Sequence, residues 1–98
     1  MRLAFRSKFI SMVYDGSKKQ TIRKWDKCSI KKGDIVQLRY TSQKLLIGHI
    51  LHVRLGDLTE ADMQDEGLTL EEFRIEYEDI YGKYDENDAV FLIKFELL

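Results

Sequence analysis

The sequence predicts an α+β domain built on a curled antiparallel or mixed sheet, closed or nearly closed, with helices over its openings. Three observations predict it. Apolar residues alternate along "IVQLRY", along "LLIGHILHVRL" and again along the C-terminal "AVFLIKFELL", the period of strands. Between the second and third of these, "LTEADMQDEG" and "LTLEEFRIEYEDIYG" open with helix-start signals. Near the N-terminus a helical period gives way to alternation at a glycine. A sheet whose strands lie at both ends of the chain, with helices inserted, has to cover its apolar face with those helices or with itself.

The elements follow in chain order. Phe9, Met12 and Val13 stand at i, i+3 and i+4, and Gly16 occupies the C-cap, so residues 7–15 form a short helix. Beyond Gly16, Thr21, Arg23 and Trp25 share one face of a strand and Ile22 the other. "KKGD" is a turn into the strand "IVQLRY". In the next, longer strand Leu45, Ile47, Leu51, Val53 and Leu55 alternate, with Gly48 a bulge or close-contact point. His49 is expected on the apolar face and His52 on the other, so the two do not form a pair. Thr59 with Asp62, and Thr69 with Glu72, stand as N-cap and N3 partners. Phe73, Tyr77, Ile80 and Tyr81 make a helical stripe read as core, ended by Gly82. In the last strand Phe91, Ile93, Phe95 and Leu97 form one buried face against Lys94 and Glu96.

With 98 residues the chain is read as a single domain, residues 1–98. No apolar run approaches the roughly 20 residues of a spanning helix, and the N-terminus has no signal-peptide core, so a cytoplasmic protein with no membrane partner is expected. One cysteine, Cys28, and two histidines do not make a metal site, and no cofactor motif is present. No heptad marks an interface, so a monomer is expected. The net charge of −1 conceals a division: residues 1–32 carry ten Lys or Arg against Asp15 and Asp26, whereas thirteen acids lie between Asp57 and Asp88. One face therefore suits an anionic ligand.

The chemistry concentrates in "GSKKQTIRKW", Gly16 to Trp25. A threonine hydroxyl becomes a nucleophile only when a base takes its proton, and a lysine serves as that base when burial or nearby cations favour its neutral form. Arg23 is a suitable neighbour; such a site also needs something to protonate a leaving group, and the acidic helices offer many carboxylates for that. Residue types alone do not single out which one.

The run Gly16, Lys18, Thr21, Ile22, Arg23, as G-x-K-x-x-T-I-R, resembles the signature of ASCH domains, and "IKKGDIVQL", "LGDLTEADMQDEGLTLEEFRIEYEDIYG" and "FLIKFELL" follow in the same order. The likeness runs from about Gly16 onward and follows the order seen in the small bacterial ASCH proteins that hydrolyse N(4)-acetylcytidine. It implies a PUA-like β-barrel or strongly curled mixed sheet. It also implies an amidohydrolase in which Lys18 is the base, Thr21 the nucleophile and Glu66 the group that handles the proton of the departing cytosine amine. Lys19 lies at a variable position, and a slipped register would substitute it for Lys18; the three-residue spacing to Thr21 favours Lys18. Arg23, Trp25 and Tyr40 are the expected substrate-binding residues, Arg23 by holding the site's charge balance or contacting the substrate, and Trp25 or Tyr40 by stacking on the base. The implied partner is a nucleoside substrate. The alternative is a non-catalytic module that binds RNA, using the basic first third, or senses a nucleoside.

Overall fold

The computed structural model describes residues 1–98. A short β1 (Arg2–Leu3) leads into α1 (Ser7–Asp15), and the chain then forms β2 (Gln20–Arg23), β3 (Ile35–Leu38) and β4 (Lys44–Arg54). A 3-10 turn (Leu55–Asp57) precedes α2 (Glu60–Met63) and α3 (Leu70–Tyr81), and β5 (Ala89–Leu97) closes the chain. The helix expected over residues 7–15 is present with those bounds and stops at Gly16, whose φ of 85° is the left-handed conformation that releases the chain towards β2. Both threonine caps form complete capping boxes, Thr59 with Asp62 and Thr69 with Glu72. The first of the two acidic helices is shorter than its sequence suggests: α2 keeps four residues and gives way to turns before α3.

The five strands are ordered β1-β3-β4-β5-β2, with β1 parallel to β3 and every other pair antiparallel. The sheet is mixed, as expected, but it is not closed into a barrel. Closure needs a ladder between the two edge strands, and β1 offers only two residues, both paired with β3. In place of a ladder, the Arg23 guanidinium at the end of β2 donates from Nη2 to the Ala4 carbonyl just beyond β1 at 2.6 Å. One side chain thus ties the two edges together.

Both faces of the sheet are covered. On one, Leu3, Val13, Ile30, Val36, Leu38, Leu45, Ile47, Ile93 and Phe95 form a core that includes the inner side of α1. On the other, Ile22, Leu55, Leu58, Met63, Phe73, Tyr77, Val90 and Leu92 pack with α2 and α3. β5 therefore buries Val90 and Leu92 on one side and Ile93 and Phe95 on the other, and the single buried face expected for it holds only beyond Ile93. β4 changes faces midway. Its register against β5 shifts between Ile47 and Ile50, at the bulge foreseen at Gly48. Leu45 and Ile47 consequently join the first core, Val53 and Leu55 border or join the second, and Leu51 is left half exposed. The bulge also undoes the expected placement of the histidines. His49 and His52 are both exposed, and His52 stacks on Phe91 with ring centroids 4.3 Å apart.

Candidate functional site

Two chain segments distant in sequence are docked backbone to backbone along β2. On one side, Gly16 turns the chain out of α1, and the Lys18 amide donates to the Met12 carbonyl at 3.1 Å, which points the next residues along the helix end. On the other, the turns after α2 present Glu66, whose amide donates to the Met63 carbonyl at 3.0 Å. The Lys19 amide donates to the Asp65 carbonyl at 2.6 Å and locks the segments together. Gly67 makes this approach possible. It has φ of 78°, and a Cβ there would stand 2.5 Å from Met12 Cε and 3.0 Å from the Ser17 carbonyl oxygen.

The result is a buried ion pair. Lys18 Nζ lies 2.5 Å from Glu66 Oε2, with the side chains 4% and 5% exposed, and it also donates to the Glu66 carbonyl at 3.3 Å. The ammonium sits 5.2 Å from the centroid of the Phe9 ring. Glu66 Oε1 is buried and has no hydrogen-bond partner, a costly state for a carboxylate oxygen. Thr21 is buried in β2, paired across the ladder with Ile93, and its Oγ1 accepts a 2.8 Å hydrogen bond from Arg23 Nε. Alternation delivers this pairing, with Thr21 and Arg23 on one face and Ile22 in the core behind them. The Arg23 guanidinium packs over Phe5, its Cζ 5.1 Å from the ring centroid. Burial pushes the Arg23 pKa below its ordinary value, opposed by Tyr81 and Glu66.

Lys18, Thr21, Arg23 and Glu66 line one cavity of about 130 Å³ between α1 and α3. Its walls are apolar, from Phe5, Phe9, Leu68, Phe73, Ile80 and neighbouring tyrosines, and Arg6 and Glu76 also line it. Tyr77, expected as core, belongs both to the second core and to this wall. Burial first, then Asp88, whose Oδ2 accepts from the Tyr77 hydroxyl at 3.3 Å, raises the Tyr77 pKa.

Of the residues expected at a site, these four are brought together although Lys18 and Glu66 are 48 positions apart. Lys19 is exposed and does not line the cavity. Neither do the two aromatics expected to stack on a base. β2 ends at Arg23, so the alternation that would seat Trp25 beside it stops, and Trp25 packs half-buried against the first core. Tyr40 is 86% exposed in the turn after β3, with φ of 66° and Arg39 over its ring.

Gln20 was not singled out by the sequence, yet it is fully buried two residues beyond Lys18, outside the cavity lining. Its Nε2 donates to the Asp62 carbonyl at 2.8 Å, and its Oε1 accepts from Lys94 Nζ at 2.5 Å, which also pairs with Asp65 at 3.1 Å. The available signal was a polar residue sharing a strand face with Ile22. No group of three or more His, Cys, Asp or Glu side chains is arranged to hold a metal ion, and no helix is long and apolar enough to cross a membrane.

This backbone matches a domain structure from Lactobacillus crispatus described as an ASCH domain, with a TM-score of 0.82 over 98% of this chain and 77% of that one at 10% identity. The chain has the ASCH-domain fold. The crystal structure of hypothetical protein PH0355 shares it, with a TM-score of 0.80, 21% identity and coverage of 99% of this chain and 97% of that one. So does the solution structure of protein PF0455 from Pyrococcus furiosus, at 0.68 and 20% identity over 99% and 96%. No family model matches the sequence, and no curated protein matches it. Within the ASCH-domain fold, the cavity is carried by the β2 edge and the helix connection that docks on it.

Proposed function

We propose that the protein is an amidohydrolase that removes the acetyl group from N(4)-acetylcytidine or a related acylated cytosine nucleoside. The observation that carries this reading is the buried 2.5 Å contact between Lys18 and Glu66 at the wall of a cavity that also holds the Thr21 hydroxyl. A nucleophile, an amine and a carboxylate, all buried at one cavity, are the parts an acyl transfer requires.

The pair works as a two-position proton relay. Glu66 takes a proton from the Lys18 ammonium, and the resulting amine removes the proton from Thr21 Oγ1 as that oxygen attacks the acetyl carbonyl. Arg23, already donating to Oγ1, faces the charge that develops on the carbonyl oxygen. The protonated Glu66 delivers its proton to the exocyclic nitrogen as the C–N bond breaks, which frees cytidine and leaves an acetyl ester on Thr21. Water then attacks the ester through the same relay, returns the hydrogen to Oγ1 and releases acetate with one proton to solvent. The unpartnered Glu66 Oε1 is the natural acceptor for the substrate amide N–H before reaction. Cavity size supports a ring-sized guest, since an apolar space of about 150 Å³ accommodates benzene, and the ribose would then remain at the mouth.

The test is deacetylation of N(4)-acetylcytidine followed by absorbance or chromatography. Wild type should turn over, and Thr21→Ala and Lys18→Ala should each lose about 10²–10⁴-fold in kcat/KM. Full activity in both variants, with folding confirmed by circular dichroism, sinks the reading, as does an inactive wild type. Saturable nucleoside binding without turnover would favour a sensing module in its place.

A further inference from the structure

The charges around the cavity divide into those that are neutralised and one that is not. Lys18 is matched by Glu66, while Arg6 bonds to Glu76 and Asp79, and Lys8 also reaches Glu76. Arg23 enters no ion pair. A guanidinium carries five N–H donors. Two are used, Nε on Thr21 Oγ1 at 2.8 Å and one of Nη2 on the Ala4 carbonyl at 2.6 Å, so three remain. Phe5 covers one face of the plane. Burial already works against this charge, as the lowered pKa records, and an incoming anion would relieve that cost.

We propose that the cavity is a binding site for a small monocarboxylate, of which acetate is the simplest, held on the free edge of the Arg23 guanidinium beside the Thr21 hydroxyl. The planar fork of arginine fits the two oxygens of a carboxylate, and the threonine hydroxyl supplies a further donor. Lys18 does not compete, because its ammonium is committed to Glu66. The other charged groups of the lining are paired with one another, Lys18 with Glu66 and Arg6 with Glu76, and Phe5, Phe9 and Phe73 suit a short apolar body. Binding does not depend on turnover. If the hydrolase reading holds as well, the acetate it releases occupies the site of the reacting carbonyl and acts as a competitive product inhibitor.

The experiment is an NMR titration of the ¹⁵N-labelled protein with sodium acetate, with sodium chloride at equal ionic strength and acetamide as controls. Acetate alone should produce a saturable shift of the Arg23 Nε–H and Thr21 resonances, with a Kd of about 10⁻³–10⁻² M, as expected for so few ligand atoms. Arg23→Met should raise that Kd at least about tenfold, the usual minimum for a lost charge-assisted pair. If that variant does not fold, Arg23→Lys, which keeps the charge and loses the fork, should raise it at least about threefold. No saturable shift in wild type, an equal response to acetamide, or unchanged affinity in a folded Arg23 variant overturns the proposal. Acetate binding without any deacetylation sinks the hydrolase reading and leaves this site standing. Deacetylation with no acetate binding does the reverse.

Discussion

The same cavity is flanked by two kinds of acid–base contact. The Lys18–Glu66 pair is 4% and 5% exposed, whereas Arg6 and Glu76, which line the same cavity, are 37% and 18% exposed and share partners with Lys8 and Asp79. The chemistry is the same, and the surroundings differ. The first pair is enclosed by aromatic rings and held by backbone docking through Lys19, Asp65 and Gly67, so neither member can relax into water. The second can exchange partners, and salt can screen it. A buried pair holds its two charges in one fixed place, and an exposed cluster joins α1 to α3 without fixing either.

The largest effect should come from leaving one buried charge alone. Glu66→Ala is expected to cost about 3–5 kcal/mol in urea denaturation, because the Lys18 ammonium stays buried without its partner. The double variant Lys18→Met/Glu66→Leu should regain most of that stability while abolishing any site chemistry. A double variant no more stable than Glu66→Ala would mean that the pair is not the source of the loss.

The docking itself is tested by two glycines with similar backbones. Gly67→Ala combines a positive φ with contacts at 2.5 and 3.0 Å, and should lose about 2 kcal/mol or more and displace Glu66. Gly16→Ala shares the strain, with φ of 85°, but meets nothing within 4 Å, so about 1 kcal/mol is expected. Equal losses would show that close packing at Gly67 contributes nothing.

Breaking the exposed cluster should matter less. Glu76→Gln is expected to change stability by under about 1 kcal/mol, and the difference from wild type should vanish near 1 M salt, where the screening length falls to roughly 3 Å. A loss that persists at high salt would place this contact in the class of the buried pair. The smallest effect belongs to Glu72 at the start of α3. The Thr69 amide, then its side chain, holds the Glu72 carboxyl below its ordinary value of 4.5. Its contribution is therefore present above that pH and is lost as pH falls through the lower folded value. Glu72→Gln should flatten the stability–pH curve below pH 4.5, and a parallel curve would remove the carboxylate from the account.

Much of the local structure was legible because its causes are local. A glycine after a helical period, a threonine three residues before an acid, and alternation through Thr21 and Arg23 each act within one turn or one strand. Periodicity failed at β4 and β5 for a shared reason. It reports which residues share a face and not what covers that face. β5 is covered on both sides, and β4 exchanges one core for the other at Gly48. Trp25 misled because the alternation that reached Arg23 was carried two residues past the end of β2.

The sequence by itself determined the α+β class, the caps and turns, and the presence of a lysine, a threonine and an arginine at fixed spacing on one short segment. Only the tertiary structure decided that the sheet stays open and that Arg23 spans its edges. It also decided that Glu66, one acid among thirteen between Asp57 and Asp88, is the one buried against Lys18. Short-range spacing encodes which side chains share a face. Which distant carboxylate loses its water depends on how closely two backbones can approach, and here that approach rests on the absence of a Cβ at Gly67.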